Sequence, residues 1–151
     1  PNGVPQNLVP YITQTAIGLR KELTIFGSDY PTRDGTCIRD YIHISDLANS
    51  HEAALKYLLN LKEFSFCESY NVGTGKGTSV LEVVNLFEKV NNLKLNFHIG
   101  DRRPGDIIEA YADCSKINKE LGWKSKYKID EALESAWKWE NNLKISKIDH
   151  C

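Results

Sequence analysis

The sequence predicts a mixed α/β (α+β) domain, on three observations. Short β-rich runs alternate with stretches of helical apolar spacing along the whole chain. Turn chemistry punctuates the changeovers. No internal repeat and no low-complexity segment interrupts the alternation. The 151 residues are enough for one domain with a fair core.

The elements follow in order. Residues 1–7 form a Pro/Gly/Asn loop. "LVPYITQTAIGLR" carries apolar residues at 8, 9, 12, 16 and 19, a helical spacing, with Pro10 tolerated in the first turn. "LTIFG" is a short strand closed by Gly27, and "SDYPTRDGT" is turn chemistry around Asp34-Gly35. "CIRDYIHI" alternates as a strand. Ser45 or Asp46 then caps a helix with Leu47, Ala48, Ala54, Leu55, Leu58 and Leu59 on one stripe.

"SYNVG" reads as another strand, Tyr70 to Val72. Ser79 and Glu82 form a capping box ahead of a helix with Val80, Val83, Val84 and Phe87 at helical spacing. "LNFHIG" is a strand, "DRRPGD" a charged loop, and "DCSKINKELGW" a short helix ended by Gly122. The last helix, "IDEALESAWKWENNL", puts Leu133, Ala136, Trp137 and Glu140 on one face. The tail after Asn142 is expected to fray.

Composition excludes several function classes. With 19 basic and 20 acidic residues there is no polybasic surface to hold nucleic acid or a membrane. No apolar run approaches the roughly 20 residues that span a bilayer. The four cysteines lack C-x-x-C pairing, so free thiols in a reducing cytosol fit better than a disulfide scaffold or a zinc site. The chain contains no methionine and opens in the middle of a loop, which suggests the C-terminal part of something longer. A processed chain is the alternative.

The glycine cluster at 73, 75 and 77 resembles a phosphate cradle but fails on spacing. A dinucleotide fingerprint needs G-x-G-x-x-G, and a P-loop needs G-K-[ST] after four intervening residues. Here the order is G-x-G-x-G, and Lys76 is followed by Gly77. A tight connection between strand and helix accounts for it.

Arginines carry the binding signal. Arg39 lies in a strand-like run, where a lone cation is costly to bury. Arg102 and Arg103 sit in a loop between Asp101 and Asp106. Guanidinium forks on ordered segments suit a pyrophosphate, and Asp106 can accept from sugar hydroxyls. The alternative is internal ion pairing, Arg39 with Asp40 or Asp34 and Arg102 or Arg103 with a flanking aspartate. Phe26, Tyr30 and Tyr41 can stack on a base or pack in the core. No nucleophile–base pair and no metal spacing is evident, so binding is a better expectation for this chain alone than catalysis.

"IFGSDYPTRDGTCIRDYIHISDLA", "YNVGTGKGTSVLEVV" and "RRPGD" together resemble the C-terminal half of UDP-glucose 4-epimerases, extended short-chain dehydrogenase/reductases. The similarity runs from Pro5 to about Trp139. It implies a substrate-binding region over 1–142, a disordered tail over 143–151, and an N-terminal Rossmann domain outside this sequence that binds NAD. The catalytic Y-x-x-x-K pair is expected there too, since no tyrosine here is followed four residues later by lysine. The implied reaction is inversion at C4 of UDP-glucose and UDP-galactose, in a cytoplasmic homodimer.

The resemblance also implies substrate contacts. Asn7, with Leu8 beside it, matches the asparagine that holds the diphosphate. Thr24, Ile25 and Phe26 match the segment against the uracil ring. Arg39 and Arg103 match the two diphosphate clamps, Tyr41 follows at the family's spacing, and Asp106 matches the acid on a ribose hydroxyl. Val80 matches an apolar residue near the base. Ala110 stands where a large tyrosine restricts relatives to glucose and galactose, which implies room for an N-acetyl group. The helix over 47–59 and the strand at 70–72 are expected to pack on the Rossmann sheet. Without it the isolated chain is expected to aggregate. The rival expectations are a non-catalytic nucleotide-sugar-binding module, an inert fragment, or an epimerase or dehydratase for another nucleotide sugar.

Overall fold

The structure is a computed structural model that describes residues 7–61 and 67–148. Among these residues there are five helices and two small sheets: α1 Leu8–Ala16, β1 Leu23–Phe26, β2 Ile38–Arg39, α2 Ile44–Asn60, β3 Thr78–Ser79, α3 Val80–Asn91, β4 Phe97–Gly100, β5 Glu109–Ala110, α4 Ser115–Leu121 and α5 Ile129–Ile148. The class is mixed α/β, as the alternation predicts. β1 and β4 pair in parallel, Leu23 opposite Phe97 and Phe26 opposite Gly100. The second sheet has the order β3-β2-β5, with β2 antiparallel to β3 and parallel to β5.

The core is where the periodicity of α3 predicts it. Val83, Val84 and Phe87 join Ile12, Leu23, Ile25, Leu95 and Leu133 in one buried cluster. α5 packs on both α1 and α3, and the Trp137 ring meets Phe87 edge-on, centroids 6.0 Å apart. Full burial of one such side chain contributes about 1.5–3 kcal/mol. The capping box of α3 is present: Ser79 Oγ accepts from the Glu82 amide at 3.1 Å, and Glu82 Oε2 accepts from the Ser79 amide at 2.9 Å. α4 ends at Gly122 with φ +66, a left-handed turn that a side chain would strain.

Several expectations are corrected. α1 stops at Ala16, before the apolar Leu19, because Gly18 turns the chain at φ +85. The run 37–44 is a strand only at Ile38–Arg39. The cap of α2 is neither Ser45 nor Asp46 but His43, whose extended backbone lets ring Nδ1 accept from the Ser45 amide at 3.0 Å. Nε2 lies 3.0 Å from Ser135 Oγ, and the ring stacks on Tyr127. Asp46 is drawn inward instead, accepting from the Lys126 and Tyr127 amides at 2.9 and 3.0 Å.

Residues 70–72 are not a strand, since no described strand pairs with them. α5 continues to Ile148, past the point at 143 where a disordered tail is expected; residues 149–151 lie outside the description. The apolar stripe of α2 faces outward, with Leu55 56%, Leu58 49% and Leu59 76% exposed.

Candidate functional site

Two loops bring the candidate residues together. The 101–106 loop leaves β4, and the strand β2 emerges from the turn at 28–36. Arg103 Nη2 donates to Asp106 Oδ1 at 2.7 Å, and Arg39 Nη2 stands 4.0 Å from the same oxygen. Arg39 Nη1 donates to the Ile38 carbonyl at 2.8 Å, which fixes the fork. The Arg103 guanidinium also lies over the Phe26 ring, 5.4 Å from its centroid. Thus two cations converge on one oxygen beside an exposed aromatic face. The hydrogen bond to Asp106 raises the Arg103 pKa, so the cation is secure at any physiological pH. Both guanidiniums keep solvent access, with Arg39 31% and Arg103 58% exposed at the side chain.

Internal ion pairing holds for both arginines, but Arg39 takes Asp106 in place of the expected Asp40 or Asp34. Arg103 does pair with a flanking aspartate. Arg39 pairs with neither Asp40 nor Asp34, because backbone and hydroxyl donors occupy both. Asp34 accepts from the Thr36 amide and hydroxyl at 2.9 and 2.8 Å and from Ser79 Oγ. Arg102 separates from Arg103 altogether. It donates to Asp29 Oδ1 at 2.6 Å and to the Asp29 carbonyl at 2.5 Å, and it covers the Tyr30 ring.

β1, which carries Phe26, has one edge that no described strand covers. The Leu23 and Gly27 amides donate toward β4, to the carbonyls of Asn96 and Gly100, both at 2.9 Å. Alternation then turns the backbone groups of Thr24 and Phe26 to the other edge, which no described strand covers. Ile25 is on the β4 side, and its side chain is in the core. On the face shared with Phe26, Thr24 Oγ1 lies 3.4 Å from His98 Nε2, and His98 Nδ1 lies 3.1 Å from Glu22.

The remaining candidates take other places. Tyr41 and Val80 are half-buried against the core, and burial pushes the Tyr41 phenol up to about 12 against the opposing pull of Arg39. Tyr41 is therefore a neutral donor. Ala110, on β5, pairs with Arg39 across the sheet. Leu8 packs on the core, whereas Asn7 is exposed at the start of α1 and makes no capping bond with its side chain.

The glycine-rich turn does hold an anion, but one of its own. Asp40 accepts from the amides of Thr74 and Gly75, with Oδ2 3.0 Å from each. Reading those glycines only for conformational freedom misses Asp40; asking which carboxylate fills the amide cradle would have found it. The cradle is thus filled and does not fit a dinucleotide phosphate. Among the described residues no cluster of His, Cys, Asp or Glu could hold a metal ion, and no helix is long and apolar enough to cross a membrane.

The chain is 51% identical over 142 residues to a bifunctional UDP-glucose 4-epimerase and UDP-xylose 4-epimerase of Pisum sativum, covering 94% of this chain and 40% of that one. A UDP-glucose 4-epimerase from Stenotrophomonas maltophila, solved with NAD and formylated UDP-arabinopyranose, superposes with TM-score 0.90 at 42% identity. That match covers 97% of this chain and 43% of the other. The enzyme of Bifidobacterium longum, solved with NAD+ and UDP, gives TM-score 0.86 at 44% identity over 94% of this chain and 41% of that one. The chain therefore spans about 40% of the length of the curated relatives it matches. The family model described as GDP-mannose 4,6 dehydratase matches residues 1–136, and the chain belongs to that family of extended short-chain dehydrogenase/reductases.

Proposed function

We propose that this chain is the substrate-binding part of a UDP-hexose 4-epimerase, anchoring the uridine diphosphate while the sugar inverts at C4. The observation that carries the reading is the convergence of Arg39 and Arg103 on one Asp106 oxygen, with Arg103 lying over Phe26. A diphosphate offers oxygens to both forks, and charge-assisted bonds of this kind are about twice as strong as neutral ones. Phe26 supplies a face for the uracil, and the free edge of β1 supplies backbone groups for the uracil edge. Asp106 would accept from a ribose hydroxyl in this reading. Binding energy from the nucleotide is then available at the remote reacting carbon.

NAD and the general base belong, in this reading, to the rest of the protein. The outward stripe of α2, with Leu55, Leu58 and Leu59, is the surface an NAD-binding sheet would cover. The free thiols of Cys37, Cys67 and Cys114 suit a cytoplasmic enzyme. The homodimer is carried by the family resemblance alone. A small residue at Ala110, next to Arg39 across the sheet, supports acceptance of N-acetylated sugars.

Titration calorimetry with UDP on the whole folded enzyme tests the anchor. Arg39→Leu with Arg103→Leu should abolish measurable binding while circular dichroism stays unchanged. Undiminished UDP affinity in the folded double variant would refute the reading. In the whole enzyme, Ala110→Tyr should cut turnover of UDP-N-acetylglucosamine and spare UDP-glucose; equal acetyl-sugar turnover in both proteins removes the specificity claim.

A further inference from the structure

We infer that Asp40 is a positioning residue that sets Arg39 and Ala110 for the ligand, acting as a self-supplied anion in the glycine-rich turn. The inference rests on the nucleotide-binding reading above. The sheet that presents Arg39 is built of two-residue strands, Ile38–Arg39 between Thr78–Ser79 and Glu109–Ala110. Ladders this short contribute few bonds, so something else must hold the register. Asp40 is the next residue after Arg39, and its carboxylate reaches both flanks of the sheet.

On one flank Asp40 accepts from the Thr74 amide at 2.9 Å, the Thr74 hydroxyl at 2.5 Å and the Gly75 amide at 3.0 Å. This turn leads into β3. On the other flank Oδ2 accepts from the Ala112 amide at 3.2 Å, two residues beyond Ala110. One carboxylate thus joins the lead into β3 to the exit of β5, across β2. The glycines permit the approach. A Cβ on Gly73 would press on Asp40 Oδ2 and come within 2.7 Å of the Ala112 methyl, and one on Gly77 would collide with Ile38 and approach Tyr111. The G-x-G-x-G cluster therefore closes on the substrate sheet rather than on a nucleotide.

The sign of one substitution separates positioning from simple electrostatics. Asp40→Asn removes a negative charge beside Arg39, which by Coulomb attraction alone should tighten binding of a diphosphate. Positioning predicts the reverse, because both carboxylate oxygens accept from this turn and its neighbour, and Asn replaces one of them with an NH2 that cannot accept.

The test is UDP calorimetry on the whole enzyme that contains this chain, comparing wild type, Asp40→Asn and Asp40→Ala. Asp40→Asn should weaken UDP about tenfold, as expected when charge-assisted hydrogen bonds to a carboxylate are lost. Asp40→Ala should weaken it at least as much and regain affinity when sodium formate refills the cradle. Sodium chloride controls for ionic strength, and formate added to wild type measures competition at the arginines. Equal or tighter UDP binding by Asp40→Asn overturns the inference, as does a folded Asp40→Ala that formate does not restore. Should neither variant fold, hydrogen exchange on wild type decides. UDP should slow the Thr74, Gly75 and Ala112 amides together, and no change in them refutes the coupling. Failure of wild type to bind UDP at all sinks the nucleotide reading itself, a different result from normal binding that ignores Asp40.

Discussion

Helices α2 and α3 look alike in the sequence, each with apolar residues at helical spacing behind a cap, yet the fold treats them oppositely. α3 hides Val83, Val84 and Phe87 completely between α5 and the β1/β4 sheet, whereas α2 turns Leu55, Leu58 and Leu59 outward. Periodicity shows that a helix has an apolar face. It does not show that the partner for that face lies in the same stretch of chain. α3 finds its partners among the described residues, and among them Leu55, Leu58 and Leu59 of α2 remain exposed.

The contrast can be broken first at its strongest point. Phe87→Ala opens a cavity beside Trp137 and should destabilise the fold by about 3–5 kcal/mol in urea unfolding. A loss below about 1 kcal/mol, the size of a surface substitution, would mean that α3 is not the inner helix. Next comes the start of α3. The Ser79 hydroxyl is fully buried, accepts from the Glu82 amide and is bonded to Asp34, so Ser79→Ala should cost about 1–2 kcal/mol. Equal unfolding midpoints for the two proteins would dismiss the cap.

A pH profile sharpens the same end of the helix. The Arg33 hydrogen bond chiefly holds the Glu82 carboxyl down at about 2, against an ordinary 4.5. A depressed folded pKa adds stability that is fully present above 4.5 and is lost as pH falls from there toward 2. Asp34 acts in the same direction: burial pushes its pKa up, but the bonds from Ser79 and Thr36 outweigh it. The melting temperature of wild type should therefore fall through this window, and Glu82→Gln should flatten the slope. Parallel profiles would show that the Arg33–Glu82 pair contributes nothing. The smallest effect belongs to α2. Leu58→Ser with Leu59→Ser should change stability by less than about 0.5 kcal/mol yet reduce self-association in sedimentation velocity. A large destabilisation there would erase the difference between the two helices.

Legibility in the sequence followed the range of the interaction. The capping box of α3 and the Gly122 stop of α4 use neighbours a few residues apart, so their spacing could be read directly. The Arg103–Asp106 pair is equally local. His43 as the cap of α2 was hidden because a ring nitrogen does this work only when Tyr127 and Ser135 hold the ring in place. β3 and β5 were hidden because two residues carry no periodicity; only pairing with Ile38 and Arg39 makes them strands.

By itself the sequence determined the helices with strong caps and stripes, the turn chemistry between them and the charged residues a diphosphate site could use. These depend on backbone preference and on contacts within a turn or two of helix. Tertiary structure alone decided that Arg102 turns away to Asp29, that Asp40 fills the glycine-rich cradle and that the α2 stripe faces outward. Those outcomes depend on groups separated by tens of residues, whose meeting is a property of the packed chain and of no local spacing.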